Sequence, residues 1–404
     1  MDIVNVARQR YKKMKVVLSG WRVFPFHGYG GLEKYPYYLG KYLREEGVDV
    51  RIVTSLSKDN KRSLEYDGIK YVFLCPMIVW KKLWSPWILL YSLSLAKHLK
   101  KEKCDILHSF ENTAYAYLHF KNRVPTLTQP FGIEPFTAPP ILELRNIKKL
   151  YIDVMGRHPL RYCISHADAV ISEADFQIKS LLELGAPKEK IFNLPVGINL
   201  SYIKEKLEDI KLSRKDLGLN ESDFVLISVN RFHPDKGLGY LVDAFNILNE
   251  KLDDIKLILI GGVENERERA EYKRVVNQLR EYKLMDKTII AENVSEDDLY
   301  DYYALSDVYV SPTLQDDYIM SIQEAMACGL PIVSTGQDFL VKSGVNGYVV
   351  SKRDPYEMAK AVLKIYDENK CGAMGAKSKE MAEKYGFESI AKNAIQIYEK
   401  LLEK

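Results

Sequence analysis

Short runs of β-branched and aromatic residues alternate along this chain with helical segments, and that alternation restricts the fold more than any other feature. In the first half the strand candidates are 15–19, 50–54, 71–74, 105–109, 126–128 and 169–172. In the second half they are 225–229, 256–260, 288–291, 308–310, 332–334 and 348–350. Strands that alternate with helices imply parallel sheets covered on both faces, because each crossover lays its helix across the sheet. Two such sets in 404 residues predict an α/β chain of two Rossmann-like, doubly wound domains, 14–197 and 198–383. The junction falls near Leu194-Pro195-Val196-Gly197-Ile198-Asn199. Within a terminal segment 384–404, residues 387–402 read as an amphipathic helix through Ile390, Ala394, Ile395, Tyr398 and Leu401. Residues 1–13 are basic and precede the first strand, as a disordered tail would.

Three loops carry chemistry. After the run Val308-Tyr309-Val310 come a polar loop, a short helix and a Gly329-Leu330-Pro331 stop, with Asp316 and Glu324 on either side of the helix start at Ser321. A helix start offers unpaired N–H groups and partial positive charge to a phosphate, and carboxylates beside it accept hydrogen bonds from sugar hydroxyls. The pairing describes a nucleotide sugar. Earlier, Arg231-Phe232-His233-Pro234-Asp235-Lys236-Gly237 follows a strand and precedes a helical pattern through Leu241, Ala244, Phe245 and Leu248. That places Arg231 and Lys236 at the carboxyl end of a strand, where a guanidinium fork and an ammonium suit a diphosphate. Near the amino end, His27-Gly28-Tyr29-Gly30-Gly31-Leu32-Glu33 follows the first strand, and glycines there let backbone N–H groups approach phosphate.

The stretch from Asp316 through Glu324 to Ala325-Met326-Ala327-Cys328-Gly329-Leu330-Pro331 resembles the signature of retaining, family-4-type glycosyltransferases. In that family an acidic residue, seven spacers and a Glu precede Ala-Met-Ala-x-Gly-x-Pro. The resemblance implies the GT-B architecture: two Rossmann-like domains facing across a cleft, with the last helix crossing back to the first domain. It assigns Asp316 to donor-sugar hydroxyls, Glu324 to the ribose, Arg231 and Lys236 to the diphosphate, and Gly30 and Gly31 to the Gly-Gly-x-Glu loop. Base recognition falls to main chain near Asn293 and Val294. The pattern departs at several places. Asp stands where Glu is usual, Asp317-Tyr318-Ile319 replaces Gly-Phe-Gly, and Asn230 replaces a Gly. Asp105-Ile106-Leu107-His108-Ser109-Phe110 and Thr128-Gln129-Pro130-Phe131-Gly132 resemble family elements in which Phe110 and Phe131 are His. His108, Glu111 and Asn112 are the remaining candidates on the acceptor side.

Charge separates the halves. Residues 1–200 hold 30 Lys and Arg against 19 Asp and Glu, and the rest hold 28 against 36, so the net +3 divides into +11 and −8. The amino-terminal half is therefore the one suited to an anionic partner. Within it, Trp80-Lys81-Lys82-Leu83-Trp84 has the interfacial pairing of indole rings with ammonium groups, which suggests peripheral docking on an anionic membrane near a lipid-linked acceptor. No helix-turn-helix, zinc-finger or RNP pattern accompanies the basic half, so nucleic acid is not expected.

No apolar run approaches the ~18 residues of a membrane span. The start Met1-Asp2-Ile3-Val4-Asn5 lacks the basic-then-apolar order of a signal peptide. The 5 cysteines have no paired spacing, which fits a reducing, cytoplasmic compartment. No metal clamp of the Asp-x-Asp kind is seen, so neither metal nor cofactor is expected. The reading is a hexosyltransferase that uses a UDP- or GDP-linked donor and retains anomeric configuration. The other reading is a catalytically weakened relative that binds nucleotide sugar or glycan as a partner subunit.

Overall fold

The computed structural model describes residues 14–27, 31–56, 62–76, 87–131, 157–263, 265–315 and 319–403. The basic segment 1–13 lies outside them. Contacts divide the chain into two units: Met1–Gly197 with Phe387–Lys404, and Ile198–Gly386. The second division comes after Gly386 rather than at 383, because Tyr385 is buried in the core of the second unit.

Unit 1 is built on an eight-stranded sheet of order β3-β4-β2-β1-β5-β6-β7-β8. The strands are β1 (Lys15–Ser19), β2 (Asp49–Leu56), β3 (Ser63–Tyr66), β4 (Ile69–Pro76), β5 (Ile106–Phe110), β6 (Thr126–Gln129), β7 (Ala169–Ser172) and β8 (Ile191–Asn193). Every pairing is parallel except β3 on β4. Its helices are α1 (Gly31–Glu45), α2 (Trp87–Lys101), α3 (His158–His166) and α4 (Asp175–Glu183), joined by a helix from the far end of the chain, α12 (Phe387–Leu402).

α12 belongs to this unit by its packing. Phe387 stacks on Tyr42 at 5.9 Å and touches Tyr35 at 5.6 Å. Gly197 is required beneath it, since a Cβ there would lie 2.9 Å from the Phe387 ring. Farther along, the Tyr398 hydroxyl is 2.7 Å from Nδ1 of His108, whose Nε2 is 3.1 Å from Gln129 Oε1. Because the Gln129 oxygen can only accept, the ring must be the Nε2–H tautomer and Nδ1 accepts from Tyr398. Burial holds the His108 pKa down to about 3, so the imidazole is neutral.

Unit 2 carries a six-stranded, wholly parallel sheet of order β11-β10-β9-β12-β13-β14. Its strands are β9 (Phe224–Val229), β10 (Ile255–Gly261), β11 (Thr288–Glu292), β12 (Val308–Ser311), β13 (Ile332–Ser334) and β14 (Gly347–Val349). Its helices are α5 (Leu200–Glu208), α6 (Leu238–Asn249), α7 (Glu266–Glu281), α8 (Glu296–Ala304), α9 (Met320–Ala327), α10 (Pro355–Asp367) and α11 (Cys371–Ala382). Successive side chains of a strand point to opposite faces, so Leu226 enters one core with Leu241, Phe245 and Leu257, while Val225 and Ile227 enter the other with Ile258, Tyr309 and Met326. This is why the strands read as unbroken apolar runs.

In both sheets the strand order reverses at one place, between β1 and β5 and between β9 and β12. Loops leaving the carboxyl ends there diverge and open a crevice, the usual ligand site of such sheets. Among the described residues no helix is long and apolar enough to cross a membrane.

Replacing Tyr398 by Phe leaves Nδ1 of a dry imidazole without its donor. We expect the urea transition of unit 1 to lose about 1–3 kcal/mol. A folded His pKa below the unfolded value means the unfolded chain binds the proton first. The stability of unit 1 is therefore expected to fall as pH drops from about 6.5 toward 3.

Candidate active site

The reversal point of unit 2 joins two of the three loops singled out in the sequence. The loop after β9 turns through Pro234–Lys236 into Gly237, whose φ of 65° is left-handed. A Cβ on Gly237 would stand 2.2 Å from the Pro312 carbonyl oxygen, so glycine alone permits the contact. Leu314 N–H donates to the Asp235 carbonyl at 2.8 Å, tying the loop after β12 to the loop after β9. On the far side Gly261 repeats the device, because a Cβ there would lie 2.0 Å from Asn230 O. Arg231 and Lys236 thus sit on a loop clamped between the ends of β10 and β12.

Arg231 is aimed by a carboxylate. Its Nη1 lies 3.2 Å from Glu268 Oε1, and the two side chains are 61 % and 1 % exposed. One edge of the guanidinium therefore meets a dry carboxylate and the other donors face outward, which suits bidentate contact with a diphosphate. Glu268 is fixed in turn by the start of α7, where Asn265 Oδ1 accepts from the Glu268 N–H at 3.0 Å.

The helix that carries Ser321 and Glu324 starts beside this loop. Ile319, the cap residue of α9, has no side chain that could bond the first-turn N–H groups. Those groups leave a positive end of the helix for an anion. Ser321 Oγ is 2.7 Å from the Tyr309 hydroxyl, which donates to Val229 O at 3.4 Å. Tyr303 donates to Glu324 Oε2 at 3.4 Å and to Ser321 O at 3.3 Å. Burial, then the Glu324 charge, raises the Tyr303 pKa well above its ordinary value, so the phenol stays a donor and Glu324 is held half-buried. Asn293, with φ 55°, ends β11 at the same edge two strands from β9, its N–H donating to Gly261 O at 3.2 Å. Val294 packs beside it against the core.

Asp316 lies outside the described residues, as do Gly30, Trp80, Lys81, Lys82 and Trp84. Gly31 is the first residue of α1. Among the described residues no group of three or more His, Cys, Asp or Glu is placed to hold a metal ion.

The acceptor-side candidates sit at the reversal point of unit 1 but differ in character. His108 is a correction to the sequence expectation. It is wholly buried with both nitrogens engaged, a core residue rather than a group that meets ligand. Phe110 and Phe131, which stand where imidazoles were looked for, form a parallel stack at 5.9 Å. Glu111 leaves β5 with φ 57°, a conformation uncommon for non-glycine residues and concentrated at functional sites. Burial, then the charge of Glu33, pushes its carboxyl up to about 7, while Arg22 pairs with Glu33 at 3.1 Å. Asn112 is buried beside it, and its Oδ1 has no hydrogen-bond partner among the described residues.

Three contributors escaped the sequence reading. Glu268 was legible, since Asn265-x-x-Glu268 has the spacing of a capping box. The Tyr303 and Tyr309 hydroxyls, which hold Glu324 and Ser321, have no local signal.

Comparisons with known proteins show the fold and the family. The fold is that of the GT-B glycosyltransferases: sucrose-phosphate synthase from Thermosynechococcus elongatus superposes with a TM-score of 0.78 at 21 % identity, over 97 % of this chain and 100 % of that one. The family model for glycosyl transferases group 1 matches residues 209–387, and that for glycosyltransferase family 4 matches residues 29–202. The chain belongs to the family-4 glycosyltransferases. Relatives include N-acetyl-alpha-D-glucosaminyl L-malate synthase of Bacillus anthracis, 23 % identical over 89 % of this chain and 91 % of that protein. A second is the UDP-Gal:alpha-D-GlcNAc-diphosphoundecaprenol alpha-1,3-galactosyltransferase of Escherichia coli, 25 % identical over 68 % and 70 %.

A Glu111→Gln substitution tests the buried carboxyl. A folded pKa above the unfolded one means the native state disfavours ionisation. Wild type therefore loses stability as pH rises from about 4.5 through 7. The variant should be more stable than wild type by about 1–3 kcal/mol at pH 8 and equal to it near pH 4, read from urea melts at the two pH values.

Proposed function

We propose that this chain transfers a hexose from a UDP- or GDP-linked donor to an acceptor hydroxyl with retention of anomeric configuration. The observation that carries the reading is the clamp at the reversal point of unit 2. It ties the loop carrying Arg231 and Lys236 to the loop after β12, the one that precedes the helix bearing Ser321 and Glu324. As the glycosidic bond to the diphosphate breaks, negative charge grows on the leaving phosphate. Arg231, Lys236 and the α9 N–H groups are fixed donors for that charge and need no reorganisation when it appears. Glu324 accepts from the ribose hydroxyls, Asp316 from the sugar, and main chain near Asn293 and Val294 meets the base. No residue of this set requires a metal.

On the acceptor side Glu111 is assigned the attacking hydroxyl. The new bond forms on the face the diphosphate leaves, and the acceptor proton passes to a diphosphate oxygen. The diphosphoundecaprenol in the name of the Escherichia coli relative and the basic amino-terminal half support a lipid-linked acceptor at the cytoplasmic face of a membrane.

Two measurements test the reading. A thermal-shift screen with UDP-, GDP- and ADP-sugars should stabilise the protein with one base, by about 2.7 kcal/mol at a hundredfold excess over Kd. Lys236→Ala and Glu324→Ala should each lower transfer or donor hydrolysis by about 10²–10³-fold with an unchanged melting temperature. A protein that binds donor yet neither transfers nor hydrolyses it would be the binding subunit instead.

A further inference from the structure

α2 is apolar on two faces. Ile88, Tyr91, Leu95, Ala96 and Leu99 are buried in unit 1, which accounts for its inner stripe. On the outer side Leu89, Leu90 and Leu93 are 39 %, 44 % and 45 % exposed. Residues three and four apart are neighbours on a helix, so Leu89 and Leu93 continue into Lys97 and Lys100, with Leu90 and Lys101 flanking the same stripe. All three lysines are exposed. The solvent face therefore begins as a leucine patch and ends as a cationic patch. Surface helices of soluble proteins ordinarily present a polar outer face, and contiguous exposed apolar patches mark interaction sites.

The charge says what the partner is. Between residues 77 and 104 the sequence has one acidic residue, Glu102, and its carboxylate is bonded to Arg51. The Lys100 ammonium lies 4.0 Å above the Phe120 ring, so Lys97 and Lys101 are the cations least committed to the fold. Leucines beside lysines, with Glu102 taken up by Arg51, fit a surface whose outer layer is anionic and whose next layer is hydrocarbon. We infer that the outer face of α2 docks unit 1 on an anionic phospholipid surface, the leucines entering the headgroup–acyl boundary and the lysines meeting the phosphates. The inference rests on the lipid-linked acceptor proposed above and gives it a location in the fold.

Flotation of the full chain with vesicles of phosphatidylcholine, alone or mixed with phosphatidylglycerol, tests it. Wild type should float with the mixed vesicles and less so as salt rises. Lys97→Gln and Lys101→Gln should each lower partitioning about five-fold. Leu90→Ser with Leu93→Ser should lower it about tenfold or more. Melting temperature and the shift induced by nucleotide sugar should not change, because none of these residues touches the donor site. If the serine variant folds poorly, the lysine variants decide. Wild-type binding that survives in both sets places docking elsewhere and overturns the assignment to α2 alone. Absence of vesicle binding, with the nucleotide shift intact, overturns membrane docking and leaves the donor reading standing. Self-association that Leu93→Ser abolishes, without vesicle binding, overturns it in favour of a second copy of the chain.

Discussion

The contact of the Gly237 backbone with the Pro312 carbonyl governs the rest of unit 2. A parallel sheet delivers its loops to one edge but does not fix their spacing. Here β9 and β12 are neighbours, and the loops leaving them are locked by a missing side chain and one main-chain hydrogen bond. Thr335 adds to the lock by donating from its hydroxyl to Thr313 O. The loop bearing the two cations and the loop that leads to the helix start are thereby joined chiefly through backbone contacts. Such positioning is stiffer than long side chains could provide by themselves, and electrostatic stabilisation of a leaving group depends on that stiffness.

Two carboxylates show how environment sets role. Glu268 faces the Arg231 guanidinium and anchors one edge of it. For Glu111, burial first and then the charge of Glu33 favour the proton. The first carboxylate fixes a cation and the second keeps a proton near neutral pH, although both are ordinary glutamates in the sequence. Which one becomes a clamp and which an acid is decided by neighbours 37 residues away for Glu268 and on another element for Glu111.

The sheets were readable because burial on both faces leaves unbroken apolar runs. β1, β7 and β13 have the expected limits, and the other expected strands shift by one or two residues at their ends. β3 was missed because Ser63-Leu64-Glu65-Tyr66 is an edge strand with three exposed residues. β8 was missed because it is a short edge strand with no fully buried residue. Arg231, Lys236, Ser321 and Glu324 were singled out through spacing within single loops, which sequence preserves. Partnerships across the fold were not found. Nothing local to His108 announces Tyr398, and nothing local to Glu324 announces Tyr303. The two phenylalanines at the imidazole positions read as losses, whereas in the fold they stack as part of an aromatic core with Tyr35.

The return of α12 to unit 1 also orders the events of synthesis. The His108 ring obtains its donor from a residue 290 positions later, and Phe387 covers Gly197 and Tyr42 only once the whole of unit 2 has left the ribosome. Unit 2 is a continuous stretch that holds all its own strands. It can therefore complete its core while unit 1 still waits for a closing helix, with an unsatisfied imidazole and open aromatic faces exposed to chaperones. A nascent chain stalled before residue 387 would present a finished unit 2 beside an unfinished unit 1.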